Sequence, residues 1–92
     1  MRKPNAVLHR SDPEYMKLLI TELEGFGWPR RAVCQELGIG YRSMTDYVTG
    51  VTRWSYAVQY AVETLRDWAR DMYLDGKKID RPKAFDREEE TA

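Results

Sequence analysis

Cysteine and histidine are nearly absent from this 92-residue sequence, which has one of each, Cys34 and His9. A single cysteine cannot form an intramolecular disulfide, so the sequence predicts a reduced, cytoplasmic chain. One histidine and one cysteine cannot supply a structural zinc site, and no hydrolytic triad can be built around a fixed histidine. We therefore expect no bound metal, no cofactor and no enzymatic activity.

Long hydrophobic runs are also lacking. Aliphatic runs such as 6–8 and 18–20 fall far short of the ~20 residues that a membrane-spanning helix needs. The N-terminus has no apolar region of the kind found in signal peptides. The sequence therefore predicts neither insertion into a membrane nor export.

An excess of charge of either sign is missing too, because 15 Lys and Arg balance 15 Asp and Glu. This balance argues against a protein that binds polyanions by charge alone. The charges are unevenly distributed, however. Residues 1–11 and 28–60 carry net charges of +3 and +2, whereas residues 12–27 and 61–92 carry −3 and −2. A localised basic face is therefore compatible with a net charge of zero.

Helical periodicity dominates the rest of the sequence, and no segment has the pattern of a strand. Asp12 followed by Pro13 is typical of a helix start, and apolar residues then recur at the spacing of one helix face. The same reasoning predicts an all-α domain whose four main helices cover about 12–24, 29–37, 41–48 and 55–76. A basic arm, residues 1–11, precedes this domain of residues 12–76, and a charged tail, residues 77–92, which we expect to be flexible, follows it.

Residues 28–50, WPRRAVCQELGIGYRSMTDYVTG, contain two of these helices on either side of a glycine-rich turn. This span resembles the helix-turn-helix of the lambda repressor and Cro family of small phage and prophage regulators. The matching positions are the turn 37–39, the helix-crossing residue Cys34, the inward residues Met44 and Tyr47, and the closing Gly50. The resemblance covers about sixty residues and implies a lambda-repressor-like fold with a long fourth helix.

Three positions depart from the family pattern. Cys34 replaces the usual alanine, Pro29 stands where a serine or threonine cap is common, and Gly40 stands where a serine often caps the recognition helix. The missing cap leaves the first N–H groups of the recognition helix free to bind phosphate or water.

The resemblance implies a sequence-specific transcriptional regulator of double-stranded DNA, of the phage repressor type. It assigns base contacts in the major groove to four residues of the recognition helix: Tyr41, Arg42, Thr45 and Asp46. Arg42 is the best candidate, because a guanidinium can bond O6 and N7 of guanine together. Asp46 either accepts from cytosine N4 or holds Arg42 from one helical turn away.

Contacts with the DNA backbone are expected from the remaining basic or hydroxyl side chains near the motif. These are Arg30, Arg31, Ser43 and Arg53, together with Arg2, Lys3 and Arg10 of the arm. Arg30 and Arg31 should meet a phosphate at the positive end of their helix. The arm either wraps the duplex or is a solubilising terminus.

A single short recognition helix offers little contact area, so we expect a homodimer on a palindromic operator whose half-sites lie ~10 bp apart. The long fourth helix has more apolar surface than a small core needs, and its dimer-interface candidates are Leu65, Trp68, Met72 and Tyr73. The alternative function is a protein-interaction module, an inhibitor or adaptor whose partner is a host or phage protein. The neutral net charge and the acidic end at Glu88–Glu90 support this alternative.

Overall fold

The computed structural model describes residues 3–74, which form four α-helices and one short 3-10 helix. The 3-10 helix covers Ala6–Leu8, and the α-helices are α1 (Pro13–Gly25), α2 (Arg30–Leu37), α3 (Tyr41–Thr49) and α4 (Tyr56–Leu74). No strand occurs within the described residues, so the all-α prediction is confirmed there. The helix stop expected at Gly76 and the tail 77–92 lie outside the described residues.

Both ends of α1 are fixed by local interactions. At its start, Asp12 Oδ1 accepts the N–H of Glu14 at 3.0 Å, while Pro13 occupies the first turn. After its end, Gly27 has φ +95°, a left-handed conformation that glycine adopts without strain. This turn lets the N–H of Trp28 donate to the carbonyl of Leu23 at 2.8 Å. The chain is thereby redirected into α2.

The hydrophobic core lies around α1, which packs against each of the other α-helices. The residues that α1 contributes to the core, all of them fully buried, are Met16, Leu19, Ile20 and Leu23. The other helices and loops add Trp28, Ala32, Val33, Cys34, Met44, Trp54, Val62 and Ala69. Because α2 and α3 both rest on α1, the outer surfaces of those two short helices are fixed relative to one another.

The buried face of α4 differs from the apolar stripe that helical spacing predicts along this helix. The predicted stripe runs through Val58, Ala61, Val62, Leu65, Trp68 or Ala69, and Met72. Of that stripe, Val62 and Ala69 are buried, whereas Leu65 is half-buried and Trp68 is 39% exposed. Two polar residues, Gln59 and Glu63, are buried in the core instead. They tolerate burial because hydrogen bonds replace the water that their polar atoms lose.

Gln59 forms four hydrogen bonds, which use both hydrogens of its amide nitrogen and two acceptor positions on its amide oxygen. Its Nε2 donates to the carbonyl of Leu8 at 2.8 Å and to Glu63 Oε2 at 3.1 Å. Its Oε1 accepts the backbone N–H of Arg10 at 2.8 Å and Nε1 of Trp54 at 3.3 Å. Gln59 therefore joins the N-terminal arm, the loop before α4 and the core.

The N-terminal arm lies against the start of α4. In addition to the arm's hydrogen bonds with Gln59, the backbone N–H of Asn5 donates to the hydroxyl of Tyr56 at 2.8 Å. His9 Nε2 donates to the carbonyl of Trp54 at 3.0 Å, and the Arg10 guanidinium lies 4.4 Å from the centre of the Tyr15 ring. Residues 5–10 are thus held on the protein by contacts with α4 and with the loop before it.

The Tyr15 hydroxyl connects α1 to α4 by donating to Glu63 Oε2. Burial, this hydrogen bond and the negative charge of Glu63 raise the pKa of Tyr15 from 10.0 to about 12. Each of these effects disfavours the phenolate. The neutral phenol therefore stabilises the folded state up to pH 10, and this contribution is lost as the pH rises through the folded pKa of about 12.

We expect the free energy of unfolding to fall between pH 10 and about 12 because the unfolded chain releases the Tyr15 proton more readily than the folded chain does. Tyr15→Phe should remove part of this fall, since it removes the ionisable group. Urea unfolding of both chains at pH 7 gives the baseline, and repeating the titrations at alkaline pH measures the slope. Equal slopes for the two chains would contradict the assignment.

Candidate nucleic-acid interface

α2 and α3 are two short helices, of 8 and 9 residues, joined by a turn of three residues. Gly38 ends α2 in the left-handed region at φ +69°, and its N–H donates to the carbonyl of Cys34. The N–H of Ile39 donates to the same carbonyl at 3.0 Å. Gly40 then returns to an extended conformation and precedes α3. The predicted arrangement of two short helices around a glycine turn is therefore present.

The inner sides of these helices carry the side chains that the sequence assigned to packing. Val33 and Cys34 of α2 are buried, as is Met44 of α3, while Tyr47 is half-buried and its ring contacts Trp54 edge-on at 6.0 Å. Burial raises the pKa of the Cys34 thiol, although the charges of Arg30 and Arg31 act in the opposite direction. A buried thiol with a raised pKa does not suit a nucleophile or a redox site.

The outer side of α3 carries the predicted base-contact residues. The Arg42 side chain is 89% exposed, and its Nε lies 3.5 Å from Asp46 Oδ1. Thr45 is half-buried, and its hydroxyl donates to the carbonyl of Tyr41 at 3.1 Å. The structure therefore brings these four residues onto two successive turns of one helix. Asp46 contacts Arg42, which is one of the two roles that the sequence predicted for it.

Arg30 and Arg31 lie beside the first residue of α3. The guanidinium of Arg31 is 4.5 Å from the centre of the Tyr41 ring, and that of Arg30 is 6.0 Å from it. Both distances are within the range of a cation–π interaction. The Tyr41 ring thus holds two positive charges where the starts of α2 and α3 meet. We call Arg30, Arg31 and Tyr41 the arginine–tyrosine cluster.

The N-terminal turns of α2 and α3 have no side-chain caps. Pro29 precedes α2 and Gly40 precedes α3, and neither residue accepts a hydrogen bond with its side chain. The free N–H groups of a helix start carry a partial positive charge that favours anions. This charge adds to that of the arginine–tyrosine cluster.

The other predicted backbone-contact residues are spread more widely. Ser43 on α3 and Arg53 in the loop after it are exposed. Lys3 and Arg10 lie in the arm, and the guanidinium of Arg10 is turned onto the Tyr15 ring. Arg2 lies outside the described residues.

The four predicted dimer-interface residues do not share one surface. Leu65, Trp68 and Met72 follow one another along one side of α4, where the ring of Trp68 contacts Trp28 edge-on at 5.9 Å. Tyr73 lies five residues after Trp68, about 140° around the helix. Its ring is 5.4 Å from that of Phe26, so Tyr73 extends the core contacts of α1.

The buried residues Gln59 and Glu63 and the half-buried Arg66 were missed by the sequence interpretation. Arg66 is 18% exposed and bonds Glu22 Oε1 at 2.5 Å and Asp67 Oδ1 at 2.7 Å. Their spacing from Val62, which the stripe placed in the core, could have identified them. All three residues lie within about one helical turn of Val62 along the sequence.

Comparisons of the chain with protein-family models, with curated proteins and with solved structures found no match. Within residues 3–74, no group of three or more His, Cys, Asp or Glu side chains is placed to hold a metal ion. No helix of the described part combines the length and apolarity needed to cross a membrane.

Proposed function

We propose that the protein is a sequence-specific double-stranded DNA-binding regulator of the lambda-repressor-like helix-turn-helix type, with α3 as its recognition helix. The observation that carries this proposal is the exposed Arg42 on the outer side of α3, flanked at the start of that helix by the arginine–tyrosine cluster. An exposed guanidinium on a short helix can enter the major groove and bond a guanine edge. Arg30 and Arg31 meet the adjacent phosphates.

Asp46 contributes to the proposed recognition by orienting Arg42. Their contact at 3.5 Å lies between residues one helical turn apart on an exposed surface, so its contribution to folding stability is small. In DNA binding, the contact with Asp46 holds the long Arg42 side chain near the helix before the DNA arrives. Arg42 therefore loses less conformational entropy when it contacts a base.

Selection from random-sequence duplexes, followed by sequencing, tests the proposal. We expect enrichment of one inverted-repeat site, and we expect the logarithm of the binding constant to fall linearly with the logarithm of salt concentration. Failure to enrich any site, for a folded and dimeric chain, would overturn the proposal. Phage-type repression further predicts that the enriched site overlaps a promoter whose transcription the bound protein reduces.

Arg42→Ala should relax the preference for one guanine in each half-site by about tenfold, because a bidentate arginine contact is lost. Arg30→Ala should instead weaken binding to all sequences by a similar factor, since a phosphate contact carries no base information. Competition with duplexes that carry each base in turn at the guanine position measures both effects. The reverse pattern would mean that α3 faces the DNA with a different side.

A protein-interaction module is the second candidate. It is supported by an apolar groove of about 430 Å³ between α2 and α4, which is bordered by the 39% exposed Trp68. Two results together would favour this candidate. The folded chain would enrich no DNA site, and the groove would bind a protein other than a second copy of the chain.

A further inference from the structure

The groove between α2 and α4 is an apolar surface that the described part of the chain leaves open. Its apolar lining comes from Leu37, Tyr60, Ala61, Leu65 and Trp68. From Tyr60 to Trp68 it runs about 12 Å along α4. The Trp68 ring is 39% exposed at its edge, whereas Trp28 and Trp54 are each 3% exposed. An exposed aromatic ring beside an apolar groove of this kind suits the binding of another apolar segment.

Charge at the groove is confined to its α2 edge. Glu36 is the only charged residue among the described residues that line it. The Glu36 side chain is exposed at the end of α2 and forms no ion pair within residues 3–74. A segment that combines apolar side chains with positive charge is therefore complementary to the groove, and an acidic segment is not.

The chain that follows α4 contains such a segment. Residues 77–83 include four basic residues and one acidic residue, which give them a net charge of +3. Ile79 and Phe85 are the large apolar residues of this stretch. Asp75 and Gly76, which precede it, form a dipeptide typical of a turn. The sequence thus places a chain reversal, a positive charge and two apolar side chains directly after the helix that borders the groove.

We propose that residues 77–85 bind in the groove of their own molecule, with Ile79 against Trp68 and Phe85 against Tyr60 and Ala61. The basic side chains between the two apolar residues then lie along the edge that carries a carboxylate. The inference does not depend on the proposed function, because no residue of the groove belongs to the outer side of α3 or to the arginine–tyrosine cluster.

The length of the chain permits this arrangement. A helix rises 1.5 Å per residue, so Trp68 and Ala61 lie about 9 and 20 Å back from the end of α4. An extended chain covers about 3.3 Å per residue, so after a reversal next to the helix Ile79 reaches about 10 Å back and Phe85 up to about 30 Å. Because the segment is tethered to the groove, its effective concentration there is of the order of 1 mM, which favours even a weak contact.

Acrylamide quenching of tryptophan fluorescence tests the contact in the whole chain. Trp68 supplies most of the quenchable fluorescence, because the other two tryptophans are buried. Phe85→Ser should raise the quenching constant about twofold, because the side chain that anchors the segment over the groove is lost. The same substitution in a Trp68→Phe background should change nothing, which assigns the effect to Trp68. An unchanged constant in Phe85→Ser would overturn the proposal.

Charge reversal at the groove edge tests the complementarity. Glu36→Lys should raise the quenching constant about 1.5-fold, because it repels the basic segment. Glu24→Lys is the matched control, since Glu24 is exposed on α1 and the change in net charge is the same. Acrylamide is uncharged, so neither substitution alters its local concentration. Equal quenching in the two variants would contradict the charge argument and overturn the proposal.

Disulfide formation tests the position of the segment. In a Cys34→Ala background, the pair Ala61→Cys and Ala84→Cys should form an intramolecular disulfide about tenfold faster than the pair Lys17→Cys and Ala84→Cys. Lys17 is exposed on α1, away from the groove lining, and is the control. Non-reducing gels and mass spectrometry identify the product. Equal rates for the two pairs would overturn the proposal.

Dilution separates this inference from the other occupants of the groove. The quenching constant of the wild-type chain should not depend on protein concentration, because the segment and the groove belong to one molecule. Protection of Trp68 that increases with concentration would mean that a second copy covers the groove, and it would overturn the proposal. These readouts involve no DNA, so they hold or fail independently of whether a DNA site is enriched.

Discussion

Gln59→Leu should lower the free energy of unfolding by about 3 kcal/mol, although the substitution places an apolar side chain at a fully buried position of α4. Gln59 is 0% exposed, and its amide bonds the arm, Trp54 and Glu63. Leucine has nearly the same size but offers no polar atom. The substitution would therefore leave the Nε1–H of Trp54 and two backbone groups of the arm without partners.

The size of this effect follows from two opposing terms. A buried polar group that loses its partner costs about 1–3 kcal/mol, whereas the leucine side chain gains about 1.5–3 kcal/mol from burial. The arm groups of Leu8 and Arg10 are only partly buried, so water replaces some of the lost hydrogen bonding. The three orphaned groups together still outweigh the hydrophobic gain.

Urea unfolding measures the change, with Gln35→Leu as the matched control. Gln35 lies on α2 and is exposed, so the same chemical change there should alter the free energy of unfolding by less than about 0.5 kcal/mol. Hydrogen exchange should show faster exchange of the Arg10 amide in Gln59→Leu, because its acceptor is gone. An unchanged or increased stability of Gln59→Leu would show that the arm is not fixed by this amide.

Arg31→Glu should lower the affinity for the selected DNA site by about 100-fold, because each half-site of the proposed dimer loses a phosphate contact and gains a repulsive charge, at about tenfold per copy. The Arg31 guanidinium lies 4.5 Å from the Tyr41 ring centre, at the start of α3. The substitution also weakens the arginine–tyrosine cluster. The salt dependence should become shallower, since fewer counterions are released.

Arg70→Glu is the matched control, with the same change in net charge. Arg70 is 45% exposed on α4, about 160° around the helix from Trp68, and its ion pairs with Asp67 and Asp71 are local. Titration of a labelled operator duplex with each variant at about 0.15 M salt measures the difference. Equal losses in the two variants would mean that net charge, rather than a contact at position 31, controls binding.

Substitution of Tyr41 separates the two roles of the cluster. Tyr41→Phe keeps the aromatic ring and therefore the cation–π contact, whereas Tyr41→Ala removes both the ring and the hydroxyl. A loss of affinity in the alanine variant alone would assign Tyr41 to positioning Arg30 and Arg31. A loss in both variants would assign its hydroxyl to the DNA.

The helices were predictable because their signals are local. Asp12 and Pro13 start α1, and Gly38 and Gly50 end α2 and α3 with positive φ angles that other residues rarely adopt. Each signal depends on residues within about four positions of one another. The helix bounds therefore agree with the sequence interpretation to within one or two residues wherever the structure describes them.

The outer side of α3 was predictable for the same reason. Met44 and Tyr47 identify the inner side, so Arg42 and Asp46 must lie on the other side and within contact distance of each other. The stacking of Arg31 on Tyr41 was not predictable, because nine residues, which include the turn between α2 and α3, separate them. Only the packing of α2 against α3 brings their side chains together.

Sequence alone determined that the described chain is helical, where its helices begin and end, and which residues of α3 face outward. These properties follow from backbone conformation and from periodicity within single helices. Tertiary structure decided that the arm lies on α4, that Gln59 and Glu63 are buried, and that Tyr73 is separated from Trp68. Hydrophobic periodicity assigns polar residues to the surface, and only contacts from distant parts of the chain supply the hydrogen bonds that make their burial favourable.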